Sequence, residues 1–339
     1  MGYRPGCAGL SGHCPDRHQG DDGLNQRADT PTRWGLVATV LAPTRDILQF
    51  AAYHLEAGAH RLYLYLDDDT CAAYPALKAH PKIRVTRCDA AHWQKLTGKR
   101  PKKHQVRQSQ NATHAYRRRV EVDWLAHIDV DEFLVSDQPV ATFLASVPPD
   151  CLTLRMHPME ALAGGASAFK AYVKQGPDRA PTVQALYPTY GAYLRGGFLS
   201  HVAGKIFLRT GLDGIELRIH NGFQGGVMNP GGITQDVIVL AHYHAPTWKK
   251  WRQHYAYRLD KGAYRPDLPP ADKTGVTNLH DLLTSIEADE GEAGLRRFFD
   301  EVCADTPALR ARLQARGLLR LHDLDLDATL SRHFPDFAG

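Results

Sequence analysis

The chain has 339 residues, of which 43% are hydrophobic and 23% charged, and its formal net charge is +4 at pH 7. A chain of this size can bury a large apolar core without disulfides or structural metals. The near-neutral charge balance, without a recognition-helix or zinc-finger pattern, argues against a protein that binds nucleic acid. The six cysteines form no C-x-x-C pair, so we expect free thiols in a reducing compartment.

Residues 1–33 are rich in Gly, Asp, Arg and Pro and hold few aliphatic side chains, which predicts a disordered leader. The longest apolar stretch, residues 34–42, is about half the length that spans a bilayer, roughly 20 residues. The start of the chain also lacks the apolar segment of a signal peptide. We therefore expect a cytoplasmic protein, and we leave open a peripheral association with the inner face of the membrane.

From residue 34 onward, strand and helix patterns alternate. Short apolar runs predict buried strands, and apolar residues at helical spacing predict helices between them. The predicted strands are 35–41, 61–66, 83–87 and 124–128, and the predicted helices are one that ends at Gly58, then 72–79 and 104–120. This alternation predicts a doubly wound α/β sheet with right-handed crossovers. Ligands bind such sheets beyond the carboxyl ends of the strands.

The second half of the chain has weaker patterns. The predicted strands are 152–156, 204–209, 215–219 and 237–242, and the predicted helices are 140–146, 248–261, 279–289, 291–303 and 308–316. Residues 157–200 are rich in Gly, Pro and Tyr and show little periodicity. So long an irregular stretch predicts a lid or a binding loop.

The clearest chemical signal is the acidic segment Asp129-Val-Asp131-Glu132 at the end of an apolar strand. Carboxylates two residues apart on a strand share a face. Hard divalent cations bind such oxygens and keep positions open for substrate phosphates. The alternative is that these residues merely end a strand, but the apolar lead-in from Trp124 favours a cation site. Thr44, Arg45 and residues 67–69 are predicted to lie at the same edge of the sheet.

Residues 123–134, Asp-Trp-Leu-Ala-His-Ile-Asp-Val-Asp-Glu-Phe-Leu, resemble the D-W-L-x-x-x-D-x-D-E-F signature of bacterial glycosyltransferase family 2-like proteins. These are related to the domain of glycosyltransferase family 92. The resemblance extends to Val37–Asp69, which includes an A-Y-H-x-x-x-G element, to Gly204–Arg209 with His220, and to Ala241–Tyr243. It covers about residues 35–260, with a weak middle at 157–200.

The resemblance implies a GT-A fold, a nucleotide-sugar donor, for which we expect a UDP-sugar, and a Mn²⁺ or Mg²⁺ ion held by Asp129 and Asp131. Asp68 would contact the nucleoside of the donor. The chain departs from the family pattern at residues 42–45 and at Pro246-Thr247, which puts the donor contacts of Thr44 and Arg45 in question. On this basis we divide the chain into the leader, a GT-A-like domain over 34–262 and a helical C-terminal extension over 263–339.

Two histidines, His242 and His244, follow the apolar strand residues Val237–Ala241. In GT-A enzymes a late histidine commonly completes the metal shell, so His242 and His244 are both candidate ligands. The alternative is that one caps the next helix and the other lies in the core. Lys205 lies in an apolar segment and needs a phosphate or carboxylate partner if it is buried. Together with His220 it is a candidate donor contact, and a structural salt bridge is the alternative.

A transferase that inverts configuration also needs a base for the acceptor hydroxyl. Glu132, Glu160, Glu216 and Asp236 are available, and we favour Asp236 or Glu160 because both are near predicted edge loops. The expected partners are thus a nucleotide-sugar and a glycan acceptor, as in cell-surface polysaccharide synthesis. The alternatives are a Mg²⁺-dependent phosphohydrolase or phosphotransferase, and a non-catalytic protein that binds sugar or nucleic acid. The oligomeric state is not predicted.

Overall fold

A computed structural model of the chain describes residues 31–118, 120–165, 167–268 and 278–337. The leader predicted over 1–33 therefore lies almost wholly outside the described residues. At the centre of the fold is a mixed sheet of ten strands, and a second sheet has three.

The strands of the large sheet are β1 (Trp34–Val40), β2 (Arg61–Leu66), β3 (Ile83–Arg87), β4 (Trp124–His127), β5 (Glu132–Ser136), β6 (Thr153–Ala161), β7 (Ala168–Ala171), β8 (Lys205–Arg209), β12 (Gly232–His242) and β13 (Leu319–Leu321). The small sheet contains β9 (Ile215–Leu217), β10 (Gly222–Gln224) and β11 (Val227–Met228).

The helices are α1 (Thr44–Glu56), α2 (Tyr74–Ala79), α3 (Ala90–Thr97), α4 (His104–Arg117), α5 (Val140–Ser146), α6 (Arg179–Leu186), α7 (Trp248–Asp260), α8 (Leu279–Val302), α9 (Pro307–Gln314) and α10 (Leu326–His333). Gly291 interrupts α8 with non-helical backbone angles, where the sequence predicts two helices. None of the helices in the described residues combines the length and the hydrophobicity that are needed to cross a membrane.

The order of the strands sets the position of a binding edge. Strands β3, β2, β1 and β4 are neighbours in this order and run parallel. Beyond β4, β8 pairs antiparallel with both β4 and β6. The chain leaves β1 toward β2 on one side, whereas β4 pairs with β1 on the other, so the strand order reverses between β1 and β4. Such a reversal is where ligands bind in open α/β sheets. The predicted fold class, a doubly wound mixed sheet flanked by helices, is confirmed.

Apolar side chains pack on both faces of the sheet. The largest cluster joins β1, β2 and β4 to α1, and it includes Leu324, Leu330 and Phe334 from the end of the chain. A second cluster contains Trp251, Tyr264 and apolar residues of α6, α8 and α9. The C-terminal segment thus supplies part of the core that packs on the first strands. Thr32–Gly339 form one compact unit, and the domain boundary at residue 262 remains a prediction.

The structure differs from the sequence prediction in several places, and one of them is helix α3, which was not predicted. Residues 157–200 are not wholly irregular, because β6 continues to Ala161 and is followed by β7 and α6. Most of β6 is buried on both faces, so it has no alternating pattern that would reveal a strand. Strand β5 was not predicted. The C-terminal extension is not entirely helical, since β13 pairs with β7 and extends the sheet. The cysteines of the described residues are free.

Candidate functional site

The acidic segment forms a tight turn at the carboxyl edge of the sheet. Strand β4 ends at His127 and β5 begins at Glu132. The amide of Glu132 donates to the carbonyl oxygen of Asp129 at 3.1 Å. In return the amide of Asp129 donates to Oε2 of Glu132 at 2.8 Å. These two bonds fix the turn, so the side chains of Asp129 and Asp131 leave it in defined directions.

The side chain of Asp129 is held by two partners. Nζ of Lys205 lies 2.7 Å from Oδ2, and Nε2 of Gln108 donates to Oδ1 at 2.6 Å. Burial would raise the pKa of the Asp129 carboxyl, but the Lys205 ammonium outweighs it and holds that pKa below its usual range. The partner that the sequence requires for Lys205 is therefore a carboxylate.

Lys205 reaches Asp129 because β8 runs antiparallel to β4, which places the start of β8 beside the end of β4. Gly204 precedes it with a φ of +65°, and a Cβ there would collide with the carbonyl oxygen of Met156. The Lys205 side chain is fully buried, and its Nζ also lies 3.4 Å from Oε2 of Glu132. Burial would lower the pKa of Lys205, but the two carboxylates raise it, so the ammonium stays charged.

Asp131 faces His242. Its side chain is 41% exposed, and Oδ2 lies 3.5 Å from Nε2 of His242. His242 is the last residue of β12 and is paired with Glu132 on β5 and with Glu160 on β6. Burial alone would lower the pKa of His242, but the carboxylates of Asp131, Glu132 and Glu160 raise it to about 9. Nδ1 of His242 and Oε1 of Glu132 are buried and have no hydrogen-bond partner, so polar groups remain available beside this pair.

Another histidine, His201, lies near His242 and contacts His220. The rings of His201 and His220 are 3.9 Å apart, and His201 lies 6.5 Å from His242, measured between centroids. His220 is tied to the backbone, because its Nδ1 donates to the carbonyl oxygen of Gly204 at 3.0 Å. Nδ1 of His201 is buried without a partner. Burial, reinforced by Lys205 and His242, lowers the pKa of His201 to about 3, so this ring is neutral at pH 7.

His244, the other candidate ligand, lies in the core. Its Nε2 accepts a hydrogen bond from the Tyr264 hydroxyl at 2.8 Å, and that hydroxyl accepts one from Nε1 of Trp251 at 3.1 Å. These groups belong to the apolar cluster of the C-terminal helices. A ring nitrogen engaged in this way is not free to bind a cation. The ring of His244 lies beside that of His242, with 5.3 Å between their centroids, but of the two it is His242 that contacts a carboxylate of the acidic turn.

The aspartates after β2 have different roles. Asp67 is buried and accepts a bidentate pair of bonds from Arg107 and a further bond from Arg100. Burial opposes its ionisation, but the two guanidinium groups hold the pKa of Asp67 below its usual value. The neighbouring Asp68 is exposed and bonds only within its own turn, where Oδ1 accepts from the amide and hydroxyl of Thr70. Asp68 therefore lies on the predicted edge with a largely free carboxylate.

Residues 42–45, where the sequence departs from the family pattern, include the start of helix α1. Helix α1 begins at Thr44 directly after β1, with Pro43 at the N-cap. Nη2 of Arg45 lies 2.9 Å from Oδ1 of Asp327 on α10. Arg45 thus connects α1 to the C-terminal helix, and this ion pair competes with the donor contact that the sequence suggested. At the second departure, Thr247 caps α7 by accepting the amide of Lys250.

Neither carboxylate that we favoured as the base is free at the acidic turn. Asp236 lies near the middle of β12 and pairs with Lys174. It lines a different cleft of about 640 Å³, together with His157 and Tyr172. Glu160 is buried, pairs with Lys170 at 3.2 Å and accepts the amides of residues 199 and 200. Its oxygens hold the chain before β8 in place, which is a structural role.

Several residues of this site were missed by sequence reasoning. Gln108 and His201 lie in segments without a motif, so only the fold brings them to Asp129 and His242. Tyr53 and His54 belong to the A-Y-H element of α1. The Tyr53 hydroxyl donates to the carbonyl oxygen of Leu134 at 2.8 Å, and the amide of Leu134 donates to Nε2 of His54 at 3.2 Å. The motif signalled this pair, but not its contact with β5 just after the acidic turn.

Comparison of the sequence with protein-family models gives no match, and no curated protein matches significantly. Among solved structures, HddC from Yersinia pseudotuberculosis is 9% identical, with 66% of this chain and 97% of that chain covered and a TM-score of 0.34. Glucosyl-3-phosphoglycerate synthase from Mycobacterium tuberculosis, in complex with Mn²⁺, UDP-glucose and phosphoglyceric acid, is 14% identical, with 70% and 82% covered and a TM-score of 0.33. The apo structure of the bifunctional glycosyltransferase WbbM is 11% identical, with 53% and 32% covered and a TM-score of 0.26. With TM-scores this low, these similarities carry no argument about the activity of this chain.

Proposed function

We propose that this chain is a metal-dependent glycosyltransferase that moves a sugar from a nucleotide-sugar, with UDP as the expected nucleotide, to a hydroxyl group of a glycan or another acceptor. The observation that carries the proposal is the approach of Asp131 to His242 at the edge where the strand order reverses. A carboxylate and an imidazole from distant parts of the sequence meet there. The proposal also rests on the family resemblance of residues 123–134, which is the sole basis for a role in cell-surface polysaccharide synthesis.

The residues present are compatible with a divalent cation. Ligands at neighbouring positions of an octahedral ion with bonds of about 2.1 Å lie about 3 Å apart, close to the 3.5 Å between Asp131 and His242. A mixed oxygen and nitrogen donor set suits Mn²⁺ better than Mg²⁺. Within the described residues, no group of three or more His, Cys, Asp or Glu side chains is arranged to hold a metal ion. The bound cation would neutralise the diphosphate leaving group as the sugar bond breaks.

Different side chains of the protein would then bind the cation and the donor. Asp131 and His242 would hold the cation, and because carboxylates keep the His242 ring protonated, that ring would release its proton to solvent as the cation binds. The exposed carboxylate of Asp68 would contact the donor from the end of β2. Arg107 and Arg100 are engaged with Asp67, so they support this edge rather than bind the diphosphate. We do not assign the role of the base that deprotonates the acceptor hydroxyl to Asp236 or Glu160, because both form ion pairs with lysines.

A phosphohydrolase or phosphotransferase that uses Asp129 as its nucleophile is disfavoured by the same contacts. Both oxygens of Asp129 are engaged, by Lys205 and by Gln108. These hydrogen bonds and the charge of the Lys205 ammonium stabilise the carboxylate and so weaken it as a nucleophile. Asp129 is instead a fixed part of the turn.

The test is a thermal-shift experiment on the full chain with UDP, with and without Mn²⁺. A ligand that binds only the native state raises its stability, so we expect a shift that requires both components. Asp131→Asn should abolish this shift and the slow hydrolysis of a UDP-sugar. Asp300→Asn is the matched control, since Asp300 has similar exposure and an ion pair with Arg296 on α8, and it should change neither. No metal-linked shift with UDP, GDP or CMP would rule out the proposed function.

A further inference from the structure

The two aspartates of the acidic turn have different electrostatic surroundings. Both oxygens of Asp129 have partners, and one of these is a fully buried ammonium group. Asp131 has no ammonium or guanidinium partner among the described residues, and its only ion-pair contact there is the imidazole of His242 at 3.5 Å. Its exposed side chain contrasts with that of Asp129, which is 27% exposed. Within the turn, Asp129 is therefore held by Lys205, whereas Asp131 is open to a ligand.

The ion pair between Lys205 and Asp129 is costly to break. Lys205 is 0% exposed, and the other carboxylate near its Nζ is Glu132, at 3.4 Å. If a cation drew Asp129 away, Lys205 would keep only this longer contact in a buried site, and leaving a buried charge poorly paired is strongly unfavourable. The ammonium would also repel a divalent cation placed against Asp129. Both effects keep Asp129 from serving as a ligand.

We propose that Lys205 keeps Asp129 from binding the cation. The protein then supplies two ligands, Asp131 and His242. The diphosphate of the nucleotide supplies ligands in the place of Asp129. This inference rests on the proposed function and makes Lys205 a positioning residue. Divalent cations need about six ligands. With two from the protein, the cation binds weakly alone and tightly together with the nucleotide. Lys205 thereby couples cation binding to donor binding.

The test measures Mn²⁺ binding to the full chain by electron paramagnetic resonance, with and without UDP. In the unaltered protein UDP should tighten Mn²⁺ binding at least about tenfold, within the usual range of coupling between sites. Lys205→Met frees Asp129, so Mn²⁺ alone should bind about tenfold more tightly, and the effect of UDP should shrink. Lys205→Met with Asp129→Asn removes the freed carboxylate and should restore the affinity and the coupling of the unaltered protein.

Asp129→Asn alone keeps a side chain of the same shape, whose amide oxygen can still accept from Lys205, and it provides a second measurement if Lys205→Met does not fold. Its affinity for Mn²⁺ should stay within about threefold of the unaltered protein, whereas Asp131→Asn should lose tenfold or more. A folded Lys205→Met protein that binds Mn²⁺ more weakly, or a tenfold loss in Asp129→Asn, would overturn the inference while the proposed function stands. Failure of the unaltered protein to bind Mn²⁺ even with UDP would instead refute the proposed function.

Discussion

The buried histidines of this protein show how neighbouring charges set the state of one residue type. His242 faces three carboxylates, and its pKa is raised to about 9. His127, on strand β4, is also buried but lies near Lys205, and burial together with that ammonium lowers its pKa to about 4. His54 has no carboxylate close to it, and burial lowers its pKa to about 3. Burial therefore leaves His54 and His127 neutral, and the neighbouring carboxylates keep His242 charged in spite of burial.

His54 allows a prediction about pH. Its Nδ1 donates to the carbonyl oxygen of Phe50 and its Nε2 accepts the amide of Leu134, so the folded protein needs the neutral ring. Because the folded pKa of about 3 lies below the unfolded value of about 6.5, its contribution to stability is complete above pH 6.5 and is lost as the pH falls toward 3. The loss at pH 5 relative to pH 7 is about 2 kcal/mol.

His54→Gln removes this titration but not that of the other histidines. We expect the difference in the free energy of unfolding between the unaltered protein and His54→Gln to narrow by about 2 kcal/mol from pH 7 to pH 5. Urea unfolding at pH 8, 7 and 5 measures it, and the difference should stay constant between pH 8 and 7. A difference that is also constant down to pH 5 would show that His54 accepts a proton in the folded state.

At the scale of elements, strand β5 connects the acidic turn to the rest of the sheet. One edge of β5 pairs with β12, with Leu134 opposite Leu240. On its other edge, the amide and carbonyl of Leu134 are bound by His54 and Tyr53 of α1. Side chains of a helix thus take the place of a neighbouring strand, which satisfies the polar groups of the strand edge.

Tyr53→Phe tests this role of α1. The substitution removes the hydrogen bond to the carbonyl oxygen of Leu134, and we expect a loss of stability of about 1 kcal/mol with faster amide hydrogen exchange in β5. Tyr63→Phe is the control, because the Tyr63 hydroxyl accepts the amide of Glu121, away from β5. Both variants should lose similar stability, but exchange in β5 should rise only in Tyr53→Phe. Equal exchange rates in the two variants would contradict the role assigned to Tyr53.

The same elements show how far the sequence alone could lead. Strands β1, β2 and β4 were predictable because buried parallel strands appear as apolar runs, and the acidic turn after β4 followed from them. The choice between His242 and His244 was not predictable, since both come after the apolar residues Val237–Ala241 and an alternating strand would point them to the same side. It depends on where β12 ends and on the hydroxyl of Tyr264, which belongs to the C-terminal helical region. Non-local contacts of this kind leave no local pattern.

The acidic turn depends in the same way on partners far away in the chain. Lys205 was recognisable as a buried cation that needs a partner, but its pairing with Asp129 comes from the antiparallel register of β8 and β4. Asp236 was placed near the site because it is close to a predicted edge loop. The irregular register of β12 between Gln235 and Val239 was not readable from residue types, and Asp236 lies with Lys174 in another cleft.

At the scale of the whole molecule, the C-terminal segment packs against elements from earlier in the chain. Strand β13 pairs with β7 at the edge of the sheet. Helix α10 packs against α1 through the largest apolar cluster, and two of its charged residues, Arg332 and His333, contact Glu56. The helix that positions β5 is thus itself supported by the end of the chain, so stability of the site and of the C-terminal segment should be linked.

Leu330→Ala measures this link. Leu330 is fully buried on α10 within the cluster of α1 and the first strands, so its truncation should lower the free energy of unfolding by about 2–5 kcal/mol. Trp34 and Trp124 lie in the same cluster, and Trp93, Trp248 and Trp251 lie in or against the other two clusters. Tryptophan fluorescence therefore reports on all three clusters, whereas circular dichroism follows all helices. In urea both signals should shift together to lower concentration in Leu330→Ala. If the fluorescence midpoint stayed unchanged while part of the helical signal was lost early, α10 would be a separate unit, and the linkage would be refuted.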